Sequence, residues 1–201
     1  MSGGGIGIKV ILLGESGVGK TNLINVALDK GFDVNSESSI HSSFLVSKLD
    51  YNNKKYIYSL WDTAGQEIYR ALNKIFIKGS KVVIFVYAID NMNSFNQIEF
   101  WINQAKETLG NEKCIMAILG NKIDLFEEQV IPNKDGKELA EKNDMKFCVT
   151  SACEDAPGVK KFIKELIIDY IKIADPEEEI NFNFKLESQK NEKENKKKKC
   201  C

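Results

Sequence analysis

The chain has 201 residues, a length that fits one domain with a well-buried core. Its 43% hydrophobic and 28% charged residues are ordinary for a globular protein, and a net charge of −1 gives no basic field to draw the body onto nucleic acid. Met1–Gly7 lacks the charged region and cleavage site of a signal peptide, Ser2 is expected to exclude N-myristoylation, and apolar runs such as Val82–Ala88 are too short to span a bilayer. Three of the five cysteines (Cys114, Cys148 and Cys153) lie in the body at spacings that fit no zinc ligand set, so they read as reduced, small apolar residues. The other two, Cys200 and Cys201, end the chain.

In chain order, Ile8–Leu13 reads as a buried strand running into a Gly-rich turn, and Thr21–Asp29 then has helical spacing. Phe44–Leu49 and Tyr56–Trp61 read as strands joined by a hairpin-like turn at Tyr51-Asn-Asn-Lys54. Val82–Ile89 and Cys114–Leu119 are unbroken apolar runs of the kind buried on both faces of a parallel sheet. Between them, Ser94–Leu109 is predicted as one helix with Phe95, Ile98, Trp101, Ile102 and Ala105 facing inward. A helix over Asn133–Lys142 follows Pro132, then a short strand at Phe147–Thr150 and a long amphipathic helix at Pro157–Ile173. Strand–helix alternation of this kind implies an α/β fold: a doubly wound, mostly parallel six-stranded sheet with helices on both faces. From residue 175 onward Glu, Asn and Lys dominate. Residues 175–201 are expected to form a flexible tail beyond a domain of residues 8–174, with 1–7 a flexible N-terminus.

Gly14-Glu-Ser-Gly-Val-Gly-Lys-Thr21 carries the spacing G-x-x-x-x-G-K-[ST] between a predicted strand and a predicted helix. Its glycines let successive N–H groups wrap a phosphate at a helix N-terminus; Lys20 reaches the β- and γ-oxygens, and the Thr21 hydroxyl is a hard ligand for Mg²⁺. Four fixed positions recur by chance in a chain of this length less than about once in a hundred. This loop announces a nucleoside triphosphate, and other residues must choose the base. Asn121-Lys-Ile-Asp124 follows the apolar strand that ends at Leu119. The Asp124 carboxylate suits the paired donors of guanine N1 and its 2-amino group, and adenine would leave that charge unpaired. Asn121 could tie loops together or meet the base edge, and the Lys122 stem could pack on the ring. Thr150-Ser-Ala152 could offer a backbone N–H to guanine O6. In Trp61-Asp-Thr-Ala-Gly-Gln-Glu67, Asp62 suits Mg²⁺ through a water, Gly65 lets its N–H approach a γ-phosphate, and Gln66 can orient an attacking water.

Together these motifs resemble the Ras superfamily of small GTPases over residues 8–173. Leu60-Trp61, Tyr69-Arg70, Lys78-Gly-Ser80, Phe85-Val-Tyr-Ala-Ile-Asp90 and Ser16-Gly17 are similar to the Rab branch. The resemblance implies a GTP/GDP switch that hydrolyses GTP slowly with Lys20 and Gln66 as catalytic groups. It implies a nucleotide site of Ser16, Gly17, Val18, Gly19, Lys20, Thr21, Asn22, Phe32, Ser39, Gly65, Asn121, Lys122, Asp124, Ser151, Ala152 and Cys153, and Mg²⁺ held by Thr21, Ser39 and Asp62. Phe32 and Ser39 enter by spacing, twelve residues after Lys20 and seven further on. Ser39 stands where the family has Thr, keeping the hydroxyl but not the methyl that restricts rotamers. Ser39-Ile-His-Ser-Ser-Phe44 and Cys153 are further departures, of which the first bears on effector choice. His41, the single histidine, reads as an exposed loop residue. The implied partners are effectors through Ser36–Phe44 and Gln66–Lys78, an exchange factor, a GTPase-activating protein, a GDP-dissociation inhibitor and the prenylation machinery. Lys196–Lys199 and Cys200-Cys201 resemble a doubly prenylated ending, which would hold the protein on the cytoplasmic face of intracellular membranes while it cycles with the cytosol. A GTP-binding scaffold without hydrolysis is the rival reading.

Overall fold

The computed structural model describes residues 7–34, 43–62 and 73–174. The elements in chain order are β1 (Gly7–Leu13), α1 (Lys20–Ala27), β2 (Ser43–Tyr51), β3 (Lys54–Asp62), α2 (Asn73–Ile77), β4 (Val82–Ala88), α3 (Met92–Asn96), α4 (Ile98–Leu109), β5 (Ile115–Asn121), α5 (Asn133–Lys142), β6 (Lys146–Val149) and α6 (Ala156–Ala174). One six-stranded sheet has the order β2-β3-β1-β4-β5-β6. Every neighbouring pair is parallel except β2 with β3.

Period-two alternation divides the core between the two faces of the sheet. Ile8, Val10 and Leu12 of β1, with Val82, Ile84 and Val86 of β4, pack under α1 and α6. Ile11 and Leu13, with Val83, Phe85 and Tyr87, turn to the other face against Ile98, Trp101 and Ile102 of α4 and Ala140 of α5. All seven residues of β4 are buried, which is why that strand shows no polar alternation. At roughly 2 kcal/mol for each large side chain removed from water, these two layers are the main driving force for the fold.

Two predicted boundaries move for local reasons. The helix expected over Ser94–Leu109 is two helices, α3 and α4, meeting at Gln97, and it begins earlier, at Met92. Asn91 is the N-cap: its side chain accepts from Ser94 N–H at 3.0 Å. The buried Ser94 hydroxyl donates to the Asn91 carbonyl at 2.7 Å and accepts from Ala88 N–H at 3.1 Å, tying the first turn to the end of β4. β5 begins after Cys114 and extends to Asn121, so the side chain that opens the base-pocket motif belongs to the strand itself. The hairpin turn is as expected, with Asn52 and Asn53 both left-handed at φ 50° and 62°.

Candidate nucleotide site

The site lies where the strands end. In an open α/β sheet the C-terminal edge is where ligands bind, because strand ends and helix starts leave loops and unpaired main chain there. β1, β3, β4 and β5 run parallel, so the residues that follow or close them (Gly14, Asp62, Asp90 and Asn121) come to one edge.

The glycines at the two ends of the loop, Gly14 and Gly19, have no room for a side chain. A Cβ on Gly14 would meet the Val86 carbonyl oxygen at 2.1 Å, and one on Gly19, at φ +92°, would meet Asn121 Nδ2 at 2.4 Å. α1 then begins at Lys20, with Leu23 N–H to Gly19 O, 2.9 Å, as its first helical hydrogen bond. The N–H groups of Lys20, Thr21 and Asn22 therefore precede the helical ladder, at the positive end of the helix dipole. Lys20 is buried and its Nζ donates to the carbonyls of Gly14 and Glu15, 2.8 Å each. Burial pulls its pKa down to about 8, against the opposing pull of the Asp62 and Glu15 carboxylates. Ser16, Gly17 and Val18 complete the loop, with Val18 wholly buried.

Thr21 Oγ1 donates to Asp62 Oδ2 at 2.7 Å. The two groups expected to share Mg²⁺ thus meet across 41 residues of sequence. Asn22 has a side-chain role that its place in the motif did not suggest. Its amide donates to the Asp33 carbonyl and accepts from Asp33 N–H, both 3.0 Å, fastening the segment after α1 to the helix. Phe32, beside that clamp, is 40% exposed.

The base pocket is built around Asn121. This buried side chain donates to the Val18 carbonyl at 2.8 Å and accepts from Ala152 N–H at 3.1 Å, joining the phosphate loop to the loop after β6. Of the two roles open to Asn121 in the sequence, the structure gives the tie. Of the main-chain donors in Thr150-Ser-Ala152, the Ala152 N–H is engaged by Asn121. Asp124, half-buried, accepts from the Ser151 hydroxyl, whose oxygen also accepts from the N–H groups of Cys153 and Glu154 at 3.0 Å each. Lys122 adopts φ +68° and its Nζ lies 3.3 Å from Asp90 Oδ2. Asp90 was no candidate from sequence, although its place directly after an apolar strand was a usable signal. Cys153 is exposed.

Phe44 stacks on Trp61 across β2 and β3, with centroids 4.8 Å apart at 19°, and Lys9 Nζ lies 4.4 Å from the Trp61 ring centre. Phe44, which ends the expected effector segment, is 54% exposed, and Val46 just beyond it 58%, so this stretch of β2 is apolar and open. Ser36, Ser39, His41, Gly65, Gln66, Arg70, Cys200 and Cys201 lie outside the described residues. No helix among the described residues is long and apolar enough to cross a membrane.

Comparison with known proteins gives the family. The Ras family model matches residues 9–172. The chain is similar to Ras-related protein Rab-21 of the sponge Geodia cydonium, 38% identical over 82% of this chain and 69% of that protein. Against Rab-21 of Homo sapiens it is 37% identical over 82% of this chain and 70% of the relative. Rab-11B of Dictyostelium discoideum is 38% identical over 73% of this chain and 66% of that protein. Family membership favours a working GTPase over a non-hydrolysing scaffold. The chain therefore belongs to the Ras family, as a Rab-like small GTPase that binds GTP and GDP and serves vesicle trafficking at intracellular membranes through effectors and regulators.

Proposed function

We propose that the loop of Gly14–Thr21, the pair Thr21–Asp62 and the pocket of Asn121, Lys122, Asp124 and Ser151 hold the phosphates, Mg²⁺ and guanine of the bound nucleotide. The observation that carries this is the Asn121 bridge, which sets the base loop against the phosphate loop at one strand edge. A hydroxyl and a carboxylate oxygen 2.7 Å apart are hard donors that suit Mg²⁺. Thr21 and Asp62 would hold the ion, which would supply positive charge to offset the negative charge that develops on bond cleavage.

Lys20 places a buried positive charge at the phosphates, and Gln66 orients the water for in-line attack. Arg70 is the only arginine in the sequence and follows Gln66 closely, so we read no arginine as placed to supply a finger. Intrinsic hydrolysis is therefore slow, and an activating protein is worth up to ~10⁵-fold. Effectors read Ser36–Phe44 and Gln66–Lys78. Prenylated Cys200 and Cys201 with Lys196–Lys199 hold the GTP form on a membrane, and a dissociation inhibitor returns the GDP form to the cytosol.

Titrating the full chain with fluorescent GTP, GDP and ATP, with and without Mg²⁺, tests the site. Guanine nucleotides are expected to bind tightly, to resist competition by excess ATP and to weaken at least tenfold in Asp124→Ala. Equal binding of ATP and GTP would refute the base-pocket assignment.

A further inference from the structure

Every strand end at the site has a proposed ligand role except that of β4, which lies between β1 and β5 in the sheet. Its C-terminal neighbour Asp90 therefore stands between the phosphate loop and the base loop. The main chain beside it is fixed on both sides. Ile89 N–H donates to Asn121 O at 3.1 Å, and Ile89 O accepts from Val130 and Ile131 at 2.9 and 3.2 Å. The carboxylate is thus carried on a rigid platform tied to the base loop itself.

The Asp90 side chain is 20% exposed and that of Lys122 31%, with Nζ and Oδ2 at 3.3 Å. Asp90 Oδ1 is buried and has no hydrogen-bond partner among the described residues. The lysine stem has four rotatable carbons, and its main chain is held left-handed by a turn closed from Leu125 N–H to Lys122 O at 2.9 Å. The ion pair with Asp90 is the one hydrogen bond that the Lys122 side chain makes among the described residues. Left alone, such a stem would sample several rotamers, and binding a base against it would require ordering it each time.

We propose that Asp90 is a positioning residue for guanine-nucleotide retention: it holds the Lys122 ammonium so that the stem stands ready as a wall of the base slot, slowing nucleotide release. This rests on the base-pocket reading above and adds to it a residue that never touches the base. The pair is half-shielded from water, so its charge should count for more than that of a surface pair and less than that of a fully buried one.

Release of fluorescent GDP from the full-length, Mg²⁺-loaded protein, chased with excess GDP, provides the test. Asp90→Asn keeps the shape and removes the charge, and it should release GDP about three- to tenfold faster. Lys122→Ala should also release faster, and Asp90→Asn should add nothing in that background, because the carboxylate acts only through the lysine. A second reading comes from melting. Lys122→Ala leaves the Asp90 carboxylate without its cation, and adding Asp90→Asn should restore part of the lost melting temperature. Release from Asp90→Asn at or below the wild-type rate would overturn the proposal, as would the same acceleration with and without Lys122. If Lys122→Ala itself leaves release unchanged, the base-slot reading falls and this inference falls with it. A silent Asp90→Asn beside a fast Lys122→Ala overturns the inference alone.

Discussion

In the proposed site Lys20 meets two opposed demands: its ammonium would have to be charged to hold phosphate, yet it sits where charge is penalised. Burial lowers its pKa from 10.5 to about 8, although Asp62 and Glu15 push the other way. In the nucleotide-free protein the unfolded chain binds a proton between pH 8 and 10.5 that the folded chain has released. This group therefore adds stability as pH rises through that window and contributes a constant penalty below it. Nucleotide binding has the opposite sign, because phosphate selects the charged form. GDP affinity should be nearly flat below pH 8 and about tenfold weaker at pH 9 than at pH 7. Lys20→Met should bind weakly at every pH with no break near 8. Fluorescence titrations from pH 7 to 9 decide this, and a profile for Lys20→Met that parallels the wild type would assign the break to another group.

At the scale of the element, α1 and α5 end alike, with an aspartate where glycine is usual. Asp29 and Asp144 are left-handed, at φ 61° and 55°. In each case the next residue's N–H reaches back five positions (Lys30 to Asn25 O and Met145 to Ala140 O, 2.9 Å each), while the aspartate N–H reaches back three. These caps explain why α1 stops at Ala27 although helical spacing continues to Asp29. Asp29 also pairs with Lys160 of α6, which gives its side chain a use. Among the described residues Asp144 has no such partner, so its left-handed conformation is strain with no side-chain return there. Asp144→Gly should stabilise the domain by about 0.5–1 kcal/mol, raising the melting temperature by roughly 1–4 °C. Calorimetry of the GDP-bound protein would show it, and a loss of stability would mean that the side chain makes a contact that glycine cannot replace.

For the molecule as a whole, what was legible in the sequence was what is contiguous. Gly14–Thr21 and Asn121–Asp124 could be read because their chemistry lies within eight and four residues and follows an apolar run. What stayed hidden spans the fold. The Asn22 clamp on Asp33 and the Asp90–Lys122 pair join residues 11 and 32 positions apart, and no local pattern encodes such meetings. For Asn121 the tie was one of two roles open in the sequence, but its partner Val18, 103 positions away, came only with the fold. The break at Gln97 was hidden for another reason: Asn91 and Ser94 both favour caps over helix interiors, and apolar spacing alone does not record that. These long-range joins also define how ligand and fold depend on each other. In the proposed site a nucleotide touching the loop after β1, the Asp62 end of β3 and the loops after β5 and β6 would cross-link segments joined here by a few hydrogen bonds. A ligand that binds only the native form at a thousand times its dissociation constant stabilises it by about 4 kcal/mol. For a domain of this size that is a rise of roughly 8–16 °C in melting temperature. Stripping the nucleotide with EDTA and phosphatase should lower the melting temperature by this order, and GDP with Mg²⁺ should restore it. ATP with Mg²⁺ should restore little, because adenine offers Asp124 no paired donors. If ATP restores the full shift, stability is set at the phosphates alone and the base loop contributes nothing to the fold. If GDP restores it without Mg²⁺, the Thr21–Asp62 pair needs no ion to close the site.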